Sequence, residues 1–401
     1  MNRINAPLAG VRIADFTIHA AGPFGTQLLS QLGAECIKIE SNTRLDAFRK
    51  PHAVYGRMSA ATFDQVSVNK LSVRLNLKRP EAVHLAKRLV AISDVAAESF
   101  RAGVMQRLGL GFDALSAVRP DVILLSISSS GQSGPDSHFA GYAPLFGAWG
   151  GLGWMSGYCD GPPVEMRHAM DHSVGMHAAA ATLAALLQRR RTRKAQHIDL
   201  AAREVASAMI GDALIQASLK QTPVRCGNGH LSMAPHGVYP TAEADRWLTL
   251  AVRANAEWRA LAEALGQSVA ARDPRFATAE GRLRHRDELD LLLGRWLRTC
   301  TAEVTAEALQ RLGVCAHVSW NMQDIARDPH LRARGATTEV SAEGIAPRLA
   351  VGAPARFSKT RDVGIRRLTP ALGQDEEYVF GELLGLSTAQ RADLQRREVI
   401  F

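Results

Sequence analysis

The sequence lacks a long apolar run and a recognisable leader. The longest apolar stretch, Ala143 to Met155, is interrupted by glycines and is shorter than the ~20 residues that cross a bilayer. The first residues, MNRINAPLAGVRI, contain neither an apolar segment nor a small-residue cleavage site. We therefore expect a soluble, cytoplasmic protein that has no membrane partner.

Cysteine is scarce and is not spaced for metal binding. The five cysteines are Cys36, Cys159, Cys226, Cys300 and Cys315. None forms a CxxC pair, and an odd number does not suit a framework of disulfides. This pattern argues against a zinc site and is typical of a reducing compartment. We accordingly expect no metal.

What is present is the composition of a globular protein. Apolar residues make up 46% and charged residues 22% of the 401 residues, a balance that excludes disordered and fibrous classes. A chain of this length can bury a large core and has room for two domains.

The chain is basic, with a net charge of +9. The basic residues are dispersed, apart from a run between Arg189 and Lys194 that follows an alanine-rich segment. Cations suit the C-terminal end of a helix, so we interpret this run as a solvated helix end and expect no nucleic-acid partner. A ligand that carries several phosphate groups explains the remaining positive charge better.

The first part of the chain alternates strand and helix signals. Strands are predicted at 11–16, 35–40, 95–98 and 122–127, and helices at 24–32, 80–92 and 112–118. Apolar strands that alternate with helices indicate a parallel sheet covered on both faces. We therefore predict an α/β fold with a doubly wound, Rossmann-like parallel sheet.

The middle of the chain divides this domain from a second one. Residues 129–163 are rich in Gly, Ser and Pro and are predicted to form a long loop, after which a helix starts at Asp171 and runs to about Arg189. We predict a large domain at 1–200 and 326–401, a linker helix at 201–224 and a smaller α+β domain at 225–325. The tail is expected to contain a strand near 348–357 and a helix near 374–385.

One motif partly matches a dinucleotide-binding fingerprint. GLGFDA at 109–114 matches GxGxxA, but a helical turn precedes it where the fingerprint needs a strand, and serines follow the next strand where it needs an acid. We expect no nicotinamide or flavin, and interpret Gly109 and Gly111 as the end of one turn and the start of the next helix.

A set of short strings carries more information when it is taken in order. The strings are PLAGVRI at 7–13, AGP at 21–23, LGA at 32–34, IKIE at 37–40, NK at 69–70, LNLK at 75–78, ESFRAGV at 98–104, RLGLG at 107–111, SIS at 126–128, GQSGP at 131–135 and GY at 141–142. In this order and spacing, from about residue 7 to residue 329, the chain resembles the class III coenzyme A transferases of the CaiB/BaiF type. That family includes carnitine, bile-acid and formate/oxalate CoA transferases.

The resemblance implies a role for Asp171. The family has a nucleophilic aspartate at the start of a helix that follows a Gly-rich segment, and DHSVG at 171–175 is the matching string here. Its position alone predicts only a helix cap, since Asp is a preferred cap residue. With the resemblance, Asp171 is expected to form a mixed anhydride with an acyl group and then an aspartyl-CoA thioester. Family members are dimers of interlocked rings, so the resemblance also implies a homodimer.

The expected CoA site includes the ESFRAGV string. The residues assigned to CoA binding are Lys38, Arg44, Ser99, Phe100, Arg101, Val104, Arg107 and Gln132. By resemblance, Phe100, Arg101, Val104 and Arg107 contact the adenine and phosphates, and guanidinium groups suit phosphate because they donate paired hydrogen bonds. Lys38 and Arg44 lie in and just after the second strand, near the carboxyl edge where α/β sheets bind ligands. Two Gly-rich segments, at 147–153 and 227–230, are candidates for a closing loop.

Several residues depart from the family pattern and concern the substrate. Ser99 replaces the usual Asn, and Ala20, preceded by His19, stands where the formate/oxalate branch has a catalytic Gln. Tyr142 stands where related acyl-CoA racemases have a His, so racemisation is disfavoured. The candidate residues for binding the incoming acid are His19, Ala20, Tyr142, Arg167, His168 and His172. A racemase or isomerase of the same fold, and a non-catalytic CoA-binding protein, remain the alternatives.

Overall fold

The computed structural model describes residues 5–50, 58–166, 169–342 and 345–401. Its contacts divide the chain into two units. Unit 1 consists of the described residues of Met1–Leu152, Glu165–Leu214 and Pro329–Phe401, and unit 2 consists of Gly153–Val164 and Ile215–Asp328. No described helix combines the length and hydropathy of a membrane span.

The strands are short and are distributed over three sheets. They are β1 Arg12–Asp15, β2 Glu35–Glu40, β3 Leu71–Arg74, β4 Val95–Glu98, β5 Ile123–Ser128, β6 Gln196–Ala201, β7 His236–Pro240, β8 Trp247–Ala251, β9 Cys315–Val318, β10 Thr337–Ala342 and β11 Ile345–Val351.

The helices range from single turns to one long helix before β6. They are α1 Ala21–Gln31, α2 Met58–Ser67, α3 Pro80–Ala91, α4 Val104–Arg107, α5 Phe112–Val118, α6 Ala143–Gly150, α7 Leu152–Met155, α8 Ala169–Thr192, α9 Ala202–Met209, α10 Gly211–Ser218, α11 Asn255–Ala264, α12 Ser268–Ala271, α13 Ala279–Arg284, α14 Arg286–Leu297, α15 Ala302–Arg311, α16 Met322–Arg327, α17 Pro329–Ala333 and α18 Thr388–Arg396. Two 3₁₀ turns, Asn42–Arg44 and Ala47–Arg49, and a π-helix, Glu377–Leu383, are also present.

Unit 1 is built on one parallel sheet of six strands in the order β3-β2-β1-β4-β5-β6. β1 lies inside the sheet, where Ile13 pairs with Cys36 of β2 on one side and Val95 of β4 on the other. This strand order is that of a doubly wound α/β sheet. The predicted α/β fold with a parallel sheet is therefore confirmed.

Helices cover both faces of this sheet because successive side chains of each strand point to opposite sides. On one face, Ile13 belongs to a buried cluster with Leu29 of α1 and Val174 of α8. On the other face, Ala14 belongs to a cluster with Leu85 of α3. The apolar composition of β1, β4 and β5 follows from this two-sided burial.

The C-terminal tail contributes to the second of these clusters. Val379 and Phe380, in the π-helix, and Val399 and Ile400, after α18, are all buried there. The tail strand lies at Ile345–Val351, slightly earlier than predicted, and pairs antiparallel with β10. The sequence did not predict α18, whose surface is largely polar and lacks a helical apolar repeat.

Unit 2 contains the antiparallel sheet β7-β8-β9 with helices packed against it. Its core includes Trp258, Phe276 and Leu293, which are fully buried. The unit differs from the predicted bounds of 225–325 because it also contains Gly153–Val164 and begins its second segment at Ile215.

Four further elements differ from the sequence predictions. The predicted loop 129–163 contains α6 and α7, and the predicted linker helix 201–224 is divided into α9 and α10 near Ile210. The strands β3 and β6 were not predicted. β6 is an edge strand that follows the basic run, and alternate residues such as His197 and Asp199 are exposed, so it carries no continuous apolar signal.

Candidate active site

The sheet changes its winding direction between β1 and β4, and open α/β sheets bind ligands at such a point. β1 ends at Asp15 and β4 ends at Glu98, so the segments that follow these strands meet at the carboxyl edge. The Ile18 amide donates to the Ser99 hydroxyl at 2.9 Å, and that hydroxyl donates to the Ile18 carbonyl at 3.0 Å. The two segments are therefore joined directly.

The loop between β1 and α1 has an unusual backbone conformation at His19. Its φ of +63° lies in the left-handed region, which costs a residue with a side chain roughly 1–2 kcal/mol. The His19 amide donates to Asp46 Oδ2 at 3.2 Å. The imidazole makes edge contacts with Tyr142 and Phe48, at centroid distances of 5.8 and 6.2 Å. Ala20 follows and is buried at the start of α1.

The imidazole is biased toward its neutral form. Burial lowers the pKa of His19, and the nearby charges of Arg44 and Lys38 lower it further, while Asp46 acts in the opposite direction. A neutral imidazole offers one N–H donor and one nitrogen acceptor. His19 can therefore hydrogen-bond to a substrate without adding a positive charge.

Two buried lysines support the loop from inside the domain. Lys38 is only 1% exposed, and its ammonium donates to the Thr17 carbonyl at 2.7 Å and lies 3.6 Å from Asp46. Lys70 is fully buried and pairs with Asp15 at 2.9 Å. CoA cannot reach the Lys38 ammonium without opening its pair with Asp46, so the predicted CoA contact does not fit the burial of Lys38.

The Asp15 carboxylate is held by several donors of this network. Its Oδ1 atom accepts from the Thr17 amide at 2.9 Å, and Oδ2 accepts from the Thr26 hydroxyl at 2.8 Å. Burial by itself raises the pKa of Asp15, but the charges of Lys70 and Lys38, with the hydrogen bond from Thr17, lower it to about 2. Asp15 is therefore ionised throughout the physiological range.

A second buried carboxyl group, Glu98, supports the segment after β4. It is 2% exposed, and its Oε2 atom accepts from the Phe100 amide at 2.6 Å. Burial raises the pKa of Glu98 to about 7, although hydrogen bonds from Ser126 and from the Phe100 amide oppose the shift. Glu98 thus fixes the backbone at Phe100 and titrates near neutral pH.

The segment after Glu98 presents two arginines at the carboxyl edge. Gly103, with φ of +76°, precedes the short helix α4, and a side chain at that position would be strained. Arg101 and Arg107 are exposed, and neither makes an ion pair with a described residue. Phe100 and Val104 are half-buried beside them. Two exposed guanidinium groups that make no ion pair with a described residue, beside an apolar surface, suit a phosphorylated aromatic ligand.

Two further predicted CoA residues lie around this segment. The backbone amide of Gly103 donates to Gln132 Oε1 at 3.3 Å, and the backbone amide of Gln132 donates to the Asp199 carboxylate at 2.9 Å. Arg44 is exposed at the end of a 3₁₀ turn after β2, and its charge lowers the pKa of His19. The structure therefore brings Gln132 to the ESFRAGV segment and Arg44 to the β1–α1 loop.

Asp171 lies in the first turn of α8, at the same edge of the sheet. The helix begins at Ala169, two residues before the predicted start at Asp171. Met170, which precedes Asp171 in the helix, is 1% exposed and packs in the core. Asp171 is half-buried and precedes Gly175 by one helical turn, so both residues lie on one face of α8.

That face of α8 packs closely on the first turns of α1. A Cβ atom on Gly175 would lie 2.8 Å from the Ala21 carbonyl oxygen and 3.0 Å from the Gly25 amide nitrogen. The absence of side chains at Gly25 and Gly175 is what allows the two helices to approach. The N-termini of both helices therefore point to the carboxyl edge, where their dipoles favour negative charge.

A Gly175→Ala variant is expected to lose roughly 1–3 kcal/mol of unfolding free energy, because the added methyl group overlaps the α1 backbone. Urea titration measures this loss. The matched control is Gly294→Ala in α14, where no atom lies within 4 Å of the added Cβ atom. It is expected to gain up to about 1 kcal/mol from helix propensity. Equal stability of Gly175→Ala and the native chain would contradict the close packing.

The residues predicted to bind the incoming acid lie on several elements. The His172 ring lies 4.4 Å from the Phe24 ring, and its Nε2 atom is 3.1 Å from Gln65 Nε2. Tyr142 is 64% exposed, immediately before α6, and contacts His19. Arg167 and His168 lie outside the described residues.

The Gly-rich segment 147–153 is largely helical. Most of it belongs to α6 and α7, and a Cβ atom on Gly150 would lie 2.3 Å from Ala206 of α9. Gly150 therefore serves close helix packing. The second candidate segment lies in unit 2, where Gly227 packs on the ring of Tyr158.

Comparison with known proteins decides the family. The model of CoA-transferase family III matches residues 8–376. The chain belongs to CoA-transferase family III. Succinyl-CoA–D-citramalate CoA-transferase of Chloroflexus aurantiacus is 33% identical over 98% of both chains. Succinate–glutarate CoA-transferase of Agrobacterium fabrum is 31% identical over 94% of this chain and 96% of that relative. The crystal structure of a CaiB/BaiF family protein from Brucella suis superposes with a TM-score of 0.85, is 29% identical and covers 94% of this chain and all of that one.

Membership of this family confirms the predicted class of enzyme, a CoA transferase whose substrates include an acyl-CoA. Several residues that support the site were nevertheless missed by the sequence predictions. These are the buried charged or polar residues Asp15, Asp46, Lys70 and Glu98. A signal for them exists, because a charged residue beside a buried strand must be paired or hydrogen-bonded. The pattern does not reveal which partner each residue has.

Proposed function

We propose that this enzyme transfers CoA from an acyl-CoA to a carboxylic acid, with Asp171 as nucleophile. The observation that carries the proposal is the position of Asp171. It lies in the first turn of α8, beside the start of α1 and at the carboxyl edge where the sheet changes direction. A carboxylate there can meet a thioester carbonyl while the N-termini of two helices favour the developing negative charge.

The proposed chemistry has four steps, which pass through two mixed anhydrides and one aspartyl-CoA thioester. The Asp171 carboxylate attacks the thioester carbonyl, and CoA leaves as a thiolate to give a mixed anhydride. The thiolate then attacks the aspartyl carbonyl, which releases the donor acid and leaves an aspartyl-CoA thioester. The acceptor carboxylate attacks that thioester to form a new anhydride and to free the thiolate again. Attack of the thiolate on the acceptor's acyl carbonyl yields the new acyl-CoA and restores Asp171.

CoA is proposed to lie along the ESFRAGV segment. Arg101, Arg107 and Arg44 would hold phosphate groups, since they are exposed and make no ion pair with a described residue. Phe100 and Val104 would cover the adenine, and Gln132 would hold the backbone at Gly103. Ser99 is expected to contribute through its two hydrogen bonds with Ile18.

The acids are proposed to be short dicarboxylates or hydroxylated dicarboxylates, because the relatives are named for succinyl-CoA, citramalate, succinate and glutarate. His19, Ala20 and Tyr142 are proposed to line the acid's position on one side, and His172 on the side of α1. Arg167 and His168 remain candidates for its second carboxylate. A homodimer is proposed by resemblance to the family. A cytoplasmic location is proposed because the cysteine pattern is typical of a reducing compartment.

A transfer assay tests this function directly. The enzyme is mixed with succinyl-CoA and, in separate reactions, with glutarate, malate, citramalate, acetate or no acid, and the CoA thioesters are separated by chromatography. We expect a new thioester with at least one dicarboxylate and none without acid. Exchange of the α-proton of a 2-methylacyl-CoA without any acid would instead identify a racemase. Binding of CoA with neither reaction would contradict an enzymatic role.

A further inference from the structure

Side chains from other elements hold the backbone of the β1–α1 loop at Thr17, Ile18 and His19. At Thr17 the amide donates to Asp15 at 2.9 Å, and the carbonyl accepts from Lys38 at 2.7 Å. At Ile18 both backbone groups bond to Ser99. Partners that come from β1, β2 and the segment after β4 thus converge on two consecutive residues.

The next residue completes this arrangement. The His19 amide donates to Asp46 Oδ2. The Oδ1 atom of the same carboxylate accepts from the Phe48 amide at 3.0 Å. Asp46 is 5% exposed and lies 3.6 Å from the Lys38 ammonium. The pair of Lys38 and Asp46 therefore holds both ends of the segment from Thr17 to His19.

A buried ion pair of this kind needs an explanation beyond stability. Apolar residues of similar volume are often as stabilising as a buried pair, because both charges must lose their hydration. The left-handed conformation of His19 is also unfavourable for a residue with a side chain. The buried ion pair and the left-handed His19 are both energetically unfavourable, and they occur together at the carboxyl edge, where the backbone must be placed precisely.

We propose that Lys38 and Asp46 are positioning residues, which hold the β1–α1 loop in the conformation that group transfer at Asp171 requires. The proposal rests on the proposed function. The loop leads directly into the first turn of α1, whose Ala21 carbonyl contacts Gly175 one turn below Asp171. It also sets the place of the His19 ring against Tyr142. Release of the loop would shift these groups relative to the nucleophile.

The test separates positioning from stability by removing both charges. Lys38→Met keeps the length of the side chain but leaves the Thr17 carbonyl without its donor and Asp46 without its counter-ion. Lys38→Met/Asp46→Asn leaves no unpaired charge, so it is expected to fold even if the single variant does not. For the double variant we expect kcat to fall about 10- to 100-fold, as for a small misplacement of reacting groups. KM for acyl-CoA should stay within about threefold.

A second readout does not depend on activity. Hydrogen exchange of a peptide that spans residues 16–24 reports the amides of Thr17, Ile18 and His19. These amides should exchange at least about tenfold faster in the double variant. Ser99→Ala, which removes only the bonds at Ile18, should show a smaller acceleration and a smaller loss of kcat.

The matched control breaks a half-buried ion pair at the opposite edge of the sheet. Arg189→Met removes the contacts with Asp94 at 2.7 Å and with Asp121 at 2.9 Å. It should lower stability while kcat and the exchange of the loop peptide stay unchanged. A folded double variant with native kcat and native loop exchange would overturn the proposal. If the native enzyme transfers no CoA, the proposed function fails, and the proposed role of the loop in CoA transfer fails with it. The hydrogen-exchange result still decides whether Lys38 and Asp46 hold the loop.

Discussion

Asp171→Ala is expected to lower CoA transfer by at least about 10³-fold, because no other described carboxylate can replace the nucleophile in the first turn of α8. Asp171→Asn keeps the size and polarity of the side chain and should be equally inactive. Steady-state transfer from an acyl-CoA to a dicarboxylate measures the loss. Both variants should still bind CoA, since the proposed phosphate contacts come from Arg44, Arg101 and Arg107.

A trapping experiment locates the covalent step. The native enzyme is treated with acyl-CoA and then with hydroxylamine, which should leave a hydroxamate on the peptide that contains Asp171. Asp212→Ala is a suitable control, because Asp212 is also in the first turn of a helix but is exposed on α10. The Asp212→Ala variant should keep its transfer activity and should still form the hydroxamate on the peptide that contains Asp171. Full transfer by Asp171→Ala, or an adduct on another residue, would refute the assigned nucleophile.

Lys70→Met is expected to produce the largest loss of stability, about 3–5 kcal/mol of unfolding free energy. The Lys70 ammonium is fully buried and donates to Asp15 at 2.9 Å, to the Pro23 carbonyl at 2.9 Å and to the Thr26 hydroxyl at 2.8 Å. Its removal leaves the buried Asp15 carboxylate without its main counter-ion. Urea unfolding at neutral pH measures the difference.

The pH dependence distinguishes the pair from simple packing. The pKa of Asp15 is lowered to about 2 in the folded chain, against 3.8 for the ordinary group. Its contribution to stability is therefore present above about pH 4 and is lost as the pH falls through about 2. The deficit of Lys70→Met should shrink over this acidic range. Asp15→Asn/Lys70→Met should recover part of the loss at neutral pH, and a double variant as unstable as Lys70→Met would contradict the charge argument.

Much of unit 1 could be predicted because the relevant signals are local. The apolar runs of β1, β2, β4 and β5 are buried on both faces, and such runs are recognisable in the sequence without knowledge of their partners. Edge elements carry weaker signals. β6 exposes alternate residues, and α18 is stabilised by its capping Ser387 and its place beside the π-helix more than by an apolar stripe.

The sequence by itself determined the parallel α/β architecture of unit 1, the family and the candidate nucleophile, since these depend on strand composition and on the order of short strings along the chain. Only the tertiary structure decided what the buried charges do. Lys38 stands in an apolar strand and Lys70 precedes another, yet their partners Asp46 and Asp15 are identified only once the strands are side by side. The left-handed His19 depends on the same contacts, because its conformation is held by side chains distant in sequence.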